Sequence, residues 1–287
     1  MVNSFVLSRF SDTITVDKSF RDSIIMELNS NNMLGGTILL AANEILFNFD
    51  FTFAANGVGS NGQFDIVLVA DRFNSNGRTI ELNGHYGGDA VGQPSKDPLN
   101  NGGDATADSS AGNGKQGHRG NPGGNGGNGM NIKVFCNELI DIKIISNGGR
   151  GGNGGKGGEG GDGGQGGTFE IGFPPHVHTK IREEGKAGKG GPGGPGGKGG
   201  NGGKIELLFC NAQTLPTDLV ASGHLVSNGN GPGGGGIGGD PGKGEPPHEQ
   251  GNSGGNLGPG IPSTPDIKKI EYSELWERVR IELGIPA

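Results

Sequence analysis

Residues 148–167 read Gly-Gly-Arg-Gly-Gly-Asn-Gly-Gly-Lys-Gly-Gly-Glu-Gly-Gly-Asp-Gly-Gly-Gln-Gly-Gly, a period of three without a break. Residues 188–203 keep that period, with Lys189, Pro192, Pro195, Lys198 and Asn201 at every third position. The α-helix repeats every 3.6 residues and the strand every two, whereas the left-handed extended helix repeats every three. In that helix a Gly-Gly-X triplet puts its X side chain on one edge and leaves two edges of bare backbone. Bare edges allow N–H···O=C bonds between neighbouring tracts, supplemented by Cα–H···O contacts. Proline, with φ near −65° and no N–H, suits an X position whose N–H would face solvent, and Pro192 and Pro195 both occupy X positions. Ordering about 20 residues costs on the order of 20–40 kcal/mol, and glycine loses more than any other residue. A lone tract cannot offset that cost, so the tracts must pack.

The remaining sequence says against what. Glycine supplies 65 of 287 residues, against a usual share of roughly 7%. Hydrophobic residues are only 30%, so a conventional core can organise only part of the chain. They are concentrated in recurring units: a short alternating strand, a polar corner, a second strand, and an Asn-Gly exit into glycine. The clearest runs from Asn131 to Cys136, turns at Asn137-Glu138, continues from Leu139 to Ile145 and leaves at Asn147-Gly148. A second spans Thr37 to Phe53, with its corner at Asn43-Glu44, a ladder of Phe47, Phe49, Phe51 and Phe53 on one buried face, and an exit at Asn56-Gly57. Looser copies are Phe64 to Gly84, Thr168 to Arg182 and Lys204 to Gly229. Two less regular tracts, 114–129 and 229–260, carry two side chains at several steps or are interrupted by Pro241, Pro246 and Pro247.

Near the C-terminus Tyr272, Leu275, Trp276, Val279 and Leu283 share one face of a helix, with Ser273 as its expected N-cap and Gly284 and Pro286 as its stop. The expected fold is mainly β. It is an irregular, parallel β-solenoid-like stack of about five strand units beside a packed bundle of polyglycine-II helices, with one C-terminal α-helix. The expected divisions are an N-terminal strand and cap (1–36), the β-repeat and glycine domain (37–260), and a Pro-rich linker with the amphipathic helix (261–287). The path of the tracts stays open between a return leg beside the strands and an out-and-back arm.

The triplet tracts resemble those of polyglycine-II proteins, among them the glycine-rich tip adhesins of phage tail fibres, over 148–167 and 188–203 and partly over 114–129 and 229–239. That covers about a quarter of the chain. The resemblance implies rigid glycine helices whose connecting loops contact a host surface molecule, and is compatible with a virion part. Springtail antifreeze proteins share the conformation, but this chain lacks their regular Gly-X-X run and a flat Thr- or Ala-rich face.

Net charge is −7 with no basic cluster, which argues against a nucleic-acid binder. Residues 1–20 contain no apolar run of the length a secretory signal needs, and no stretch approaches the ~20 apolar residues of a membrane helix. An extracellular or virion location by a non-classical route is therefore expected, and otherwise a cytoplasmic one. Cys136 and Cys210 sit in the same phrase, Phe-Cys-Asn, which suggests the same inward position in related strands and buried, reduced thiols. Glycine density produces dinucleotide-type matches by chance, and no GxxxxGK[ST] occurs. Residues 157–162 match only the start of a calcium nonapeptide.

No catalytic, cofactor-binding or metal-binding residues are assigned. Candidate display loops contain His85 and Tyr86, then Pro174, Pro175, His176 and His178, with Gln213 to Asp218 as a third segment. The candidate docking helix uses Tyr272, Leu275, Trp276 and Val279, against the body or a partner. The function expected is a non-catalytic adhesin-type binder of a protein or glycan surface, with a self-assembling fibre or sheath component as the alternative. Antifreeze or collagen-like readings rank lower.

Overall fold

The computed structural model describes residues 5–31, 33, 35–53, 63–91, 97–213, 216–243 and 249–285. The Asn56-Gly57 exit, Pro246 and Pro247 lie outside them. Strand β1 (Phe5–Val16) leads into helix α1 (Lys18–Ser30), followed by β2 (Gly35–Phe47), β3 (Phe51–Thr52), β4 (Gln63–Asn74) and β5 (Ile80–Glu81). After a glycine arm come β6 (Asn131–Asp141) and β7 (Ile144–Ile145), then the hairpin β8 (Gly167–Phe173) and β9 (His176–Arg182). Strand β10 (Ile205–Ala212), helix α2 (Pro216–Ala221) and β11 (Leu225–Val226) follow, with β12 (Asp266–Lys269) and α3 (Tyr272–Glu282) at the end.

The long strands form a six-stranded parallel sheet in the order β1-β2-β4-β6-β10-β12, and the short ones a four-stranded parallel sheet in the order β3-β5-β7-β11. Strands β2, β4, β6 and β10 each hand the chain to the short strand of the same unit, β10 by way of α2, whereas β1 leads into α1 and β12 into α3. One core fills the space between the sheets, with Ile45, Phe73 and Leu139 abreast, then Phe51, Ile80, Ile144 and Leu225. The phenylalanine ladder falls there: Phe51 stacks on Phe53 at 6.0 Å, and Phe47 meets the edge of Phe51 at 6.0 Å.

The parallel strand units follow the alternation in the sequence, but three expectations need correction. The sheets do not close into a solenoid, because both open onto the glycine tracts. The Thr168–Arg182 copy is a separate antiparallel hairpin: Pro174-Pro175 forms its turn, and its residues are exposed or half-buried instead of alternating into the core. Finally, there are three α-helices among the described residues, not one. Helix α1 is started by Asp17, whose side chain accepts from the Phe20 N–H at 2.8 Å, and buries Ile24 and Leu28 one turn apart against the core. Those backbone and hydroxyl donors hold the Asp17 carboxyl below its ordinary range. Only short apolar spacing within 18–30 signals this helix.

The two cysteines do not share a position. In β6 and β10, Cys136 pairs with Phe209 and Phe135 with Leu208, so the Phe-Cys-Asn phrases are displaced by one residue. One residue of displacement turns a side chain to the other face. Cys136 therefore lies in the core between the sheets, and Cys210 lies on the outer face with Phe135 and Leu208. Both are buried free thiols, and burial raises the pKa of each.

At the far side of the core, Ser146 and Ser227 are buried hydroxyls that donate to the Met130 and Gly203 carbonyls, and there apolar packing gives way to glycine. The tracts run out-and-back. Residues 148–163 leave the sheet, and 185–203 return antiparallel beside them, from Gly185 N–H on Gly164 O to Gly203 N–H on Ser146 O. Outgoing tracts lie parallel to one another, with Gly148, Gly151 and Gly154 donating to residues 228, 231 and 234. Returning tracts do the same, with Gly114, Gly117 and Gly120 donating to residues 186, 189 and 192. The result is a two-layer slab in which two N–H groups of every interior triplet bond to neighbouring tracts. A Cβ on Gly152 or Gly194 would sit well inside 3.0 Å of the Gly88 or Asn121 carbonyl, so glycine is dictated by interchain distance.

The third N–H, that of X, is at many positions served by a side chain of the preceding tract. Asn113, Asn125, Asn128 and Asn131 accept through Oδ1 from the X-position N–H groups of Lys186, Lys198, Asn201 and Lys204, at 2.8–2.9 Å. Asn147 accepts from Asn228 and itself donates to Asn83, which explains the Asn-Gly exit of each unit. Pro192 and Pro195 stand 73 residues after Arg119 and Pro122, on the same offset that relates Asn125 to Lys198. Neither predecessor has an amide to offer, and proline has no N–H to satisfy. The proline N–H site thus faces the preceding tract and not open solvent. Tract 112–129 carries second side chains at Lys115, His118 and Asn121, where Asn121 Nδ2 donates to the Val91 carbonyl at 3.3 Å, whereas the same step is bare at Gly124 and Gly127, which bond to Gly88 and His85.

Candidate binding sites

Hairpin β8–β9 lies where tract 148–166 ends and tract 185–203 begins, at the end of the slab remote from the sheets. Its seven cross-strand pairs place Phe173 opposite His176 and Ile171 opposite His178. Phe173 is 88% and Ile181 75% exposed, and Val177 is also exposed. His176 and His178 sit on one face of β9, with Pro174 and Pro175 at the tip. Arg182 ties the base of the hairpin to the neighbouring turn by donating to the Ala107 carbonyl at 3.1 Å. Two-stranded hairpins are marginal in water by themselves, so this one depends on the tracts that carry it.

His85 and Tyr86 are not in a loop. His85 belongs to the first tract, where its carbonyl accepts from the Gly127 N–H at 2.8 Å, and Tyr86 projects from an X position. They lie near β5, at the opposite end of the slab from the hairpin. Gln213 and α2 sit at the β10–β11 connection, with Leu219 buried in the core, so this segment also lies by the sheets.

Helix α3 crosses the outer face of the six-stranded sheet. Leu275 and Val279 are buried against Leu39, Val67, Phe135 and Leu208, each worth about 1.5–3 kcal/mol of apolar burial. Tyr272 and Trp276 stay half exposed with their rings edge to face at 6.1 Å. The N-cap is Glu271 and not Ser273, without a side-chain cap bond. Gly284, at φ 67, closes the other end, with Ile285 N–H reaching Arg280 O at 2.9 Å.

Beside α3 the sheet face is uncovered, leaving a groove of about 470 Å³. Its floor is Ala41, Val69 and Phe135, and its two walls differ. One is the Tyr272–Trp276 ring pair. The other is the corner row of Asn43, Asp71 and Asn137, which the strand register sets abreast, continued by Asp12 on β1. Asn137 Nδ2 donates to Asp71 at 3.0 Å and Asn43 Nδ2 to Asp12 at 3.4 Å. Spacing alone identifies Asn43 and Asn137 as corner residues, but only strand pairing shows that they form one row. Among the described residues, no group of three His, Cys, Asp or Glu is placed to hold a metal ion, and no helix is long and apolar enough to cross a membrane. No known protein family matches the chain, and no curated protein is similar to it.

Proposed function

We propose that this protein is a non-catalytic, adhesin-type binding module in which a rigid glycine slab carries the β8–β9 hairpin away from its β-sheet base. The tracts are read as polyglycine-II helices and the strand units as a solenoid-like stack. Period-three bonding to neighbours and glycine at every interchain contact support the first reading. Repeated parallel units with aligned corners support the second. At about 3.1 Å per residue, a 20-residue tract carries the hairpin roughly 60 Å from the sheets. The carrying observation is the hairpin itself. It exposes Phe173, Val177 and Ile181 at the end of the longest tracts, where apolar side chains do nothing for the fold. The partner is a surface molecule, extracellular or met by a virion.

The slab edge favours a discrete module over a fibre. In tract 185–203 the residues after each X position are Gly190, Gly193, Gly196, Gly199 and Gly202, all donors to tract 249–262. The corresponding residues of that last tract are Gln250, Ser253, Asn256, Pro259 and Pro262. Asn256 Oδ1 turns back to accept from Gly235 N–H at 2.6 Å, and Gln250 Nε2 donates to Gly238 O at 3.2 Å. Side chains and prolines there block another tract, as charged or proline-bearing edges block sheet growth.

The test replaces 167–182 with a short glycine turn and compares binding of the two proteins to panels of intact cells and virion-host surfaces. The expected result is a discrete light-scattering mass for both and surface binding by the parent alone. Equal binding by the hairpin-less protein, or large filamentous species of the parent, overturns the proposal.

A further inference from the structure

We propose that the groove beside α3 is a second binding site, for a neutral oligosaccharide, separate from the hairpin. A sugar ring has two unlike aspects: C–H faces that pack on aromatic rings, and an equatorial belt of hydroxyls that both donate and accept. The groove offers a wall for each. Tyr272 and Trp276 are half exposed and hold one another edge to face, so an aromatic surface stands ready without rearrangement. Across the floor the corner row alternates amide and carboxylate, Asn43, Asp71 and Asn137, with Asp12 outside the lining and bonded to Asn43. The internal bonds Asn137 to Asp71 and Asn43 to Asp12 orient these groups. Each carboxylate has more lone-pair sites than one amide uses, and each amide keeps a carbonyl acceptor and a second N–H.

Alternating donors and acceptors match vicinal hydroxyls. A purely apolar helix laid in the groove would leave that row without partners when water is expelled, at a cost for every unmatched group. A cationic ligand would be met by the Asp71 carboxylate, but the flanking amides would waste the rest of the wall. The floor of Ala41 and Val69 is low, and Phe10 of β1, 69% exposed, closes one end. A volume of about 470 Å³ falls within the range of small-ligand sites, enough for two or three sugar rings.

Trp276 is the only tryptophan of the chain, so its emission reports on this groove alone. The experiment titrates the full chain with cellotriose, maltotriose, mannotriose and chitotriose, following Trp276 emission and acrylamide quenching, with calorimetry in parallel. The expected result is a saturable emission shift and protection from quenching with at least one trisaccharide. Trp276→Ala and Asp71→Ala, both at exposed positions, should each weaken calorimetric binding about tenfold. Melting of both variants should stay near that of the parent, and the hairpin-less protein should bind as the parent does. Absence of a saturable response to all four sugars overturns the proposal, as does binding undiminished in both variants.

Discussion

Replacing Gly194 with alanine tests the close-packed slab at its centre. An added Cβ would meet the Asn121 carbonyl oxygen and the Gly120 backbone, both on a neighbouring returning tract. Nothing there is a flexible side-chain end, so the tracts must separate. Three bonds cross that point: Gly155 N–H to Asn121 O, Gly120 N–H to Pro192 O and Gly123 N–H to Pro195 O, at 2.8–2.9 Å. At about 1 kcal/mol net each, their loss costs about 3 kcal/mol. Alanine returns about 0.4–1 kcal/mol by restricting the unfolded chain. The net expectation is a destabilisation of about 2–3 kcal/mol, a large share of a usual 5–15 kcal/mol. Gly255→Ala is the control, because no atom lies within 4 Å of its added Cβ. Urea unfolding followed by circular dichroism measures both, and amide exchange over 148–163 and 185–203 locates the loss. If Gly194→Ala unfolds within about 0.5 kcal/mol of Gly255→Ala, close interchain packing does not hold the slab.

Two further outcomes follow from single contacts. Asn125→Ala removes the acceptor of the Lys198 N–H and should cost about 1 kcal/mol in urea unfolding, whereas Asn125→Asp keeps Oδ1 and Arg119→Ala, opposite Pro192, should be nearly silent. Burial pushes the Cys136 thiol well above its ordinary 9.0, so the folded chain keeps a proton that the unfolded chain releases. That contribution is complete below the unfolded value and is lost as pH rises from there through the folded value, with a slope of about 1.4 kcal/mol per unit. Cys136→Ala should therefore show a shallower fall in urea midpoint than the parent between pH ~8 and ~10.5.

The strand units were legible because burial on one side of a pleat leaves an alternating trace, as in Thr37 to Ala42 and Asn131 to Cys136. Leu275 and Val279 were legible from helical spacing. Tyr272 and Trp276 share that face of α3 but line a groove, because how far a helix face is covered depends on the angle at which it crosses the sheet. The hairpin was read as another unit, since Thr168 to Arg182 also alternates. What distinguishes it is that, among the described residues, no other strand pairs with it and no layer covers its faces, which local pattern does not record.

The sequence alone determined that a Gly-Gly-X tract shows one side chain in three, that such tracts, the rods of the slab, must pack, and that the apolar segments form strand units. These are local consequences of a period of three or two and of backbone entropy. Only the tertiary structure decided which rods meet. A Gly-Gly-X tract can slide by three residues along its neighbour and recover nearly the same bonds. Its register is fixed elsewhere, by the apolar core at one end and by those X-position N–H groups that meet an Asn or Asp side chain in the preceding tract, as at Asn153, Lys198 and Asn201. The same long-range pairing displaced the two Phe-Cys-Asn phrases by one residue, turning two identical phrases to opposite faces of one sheet.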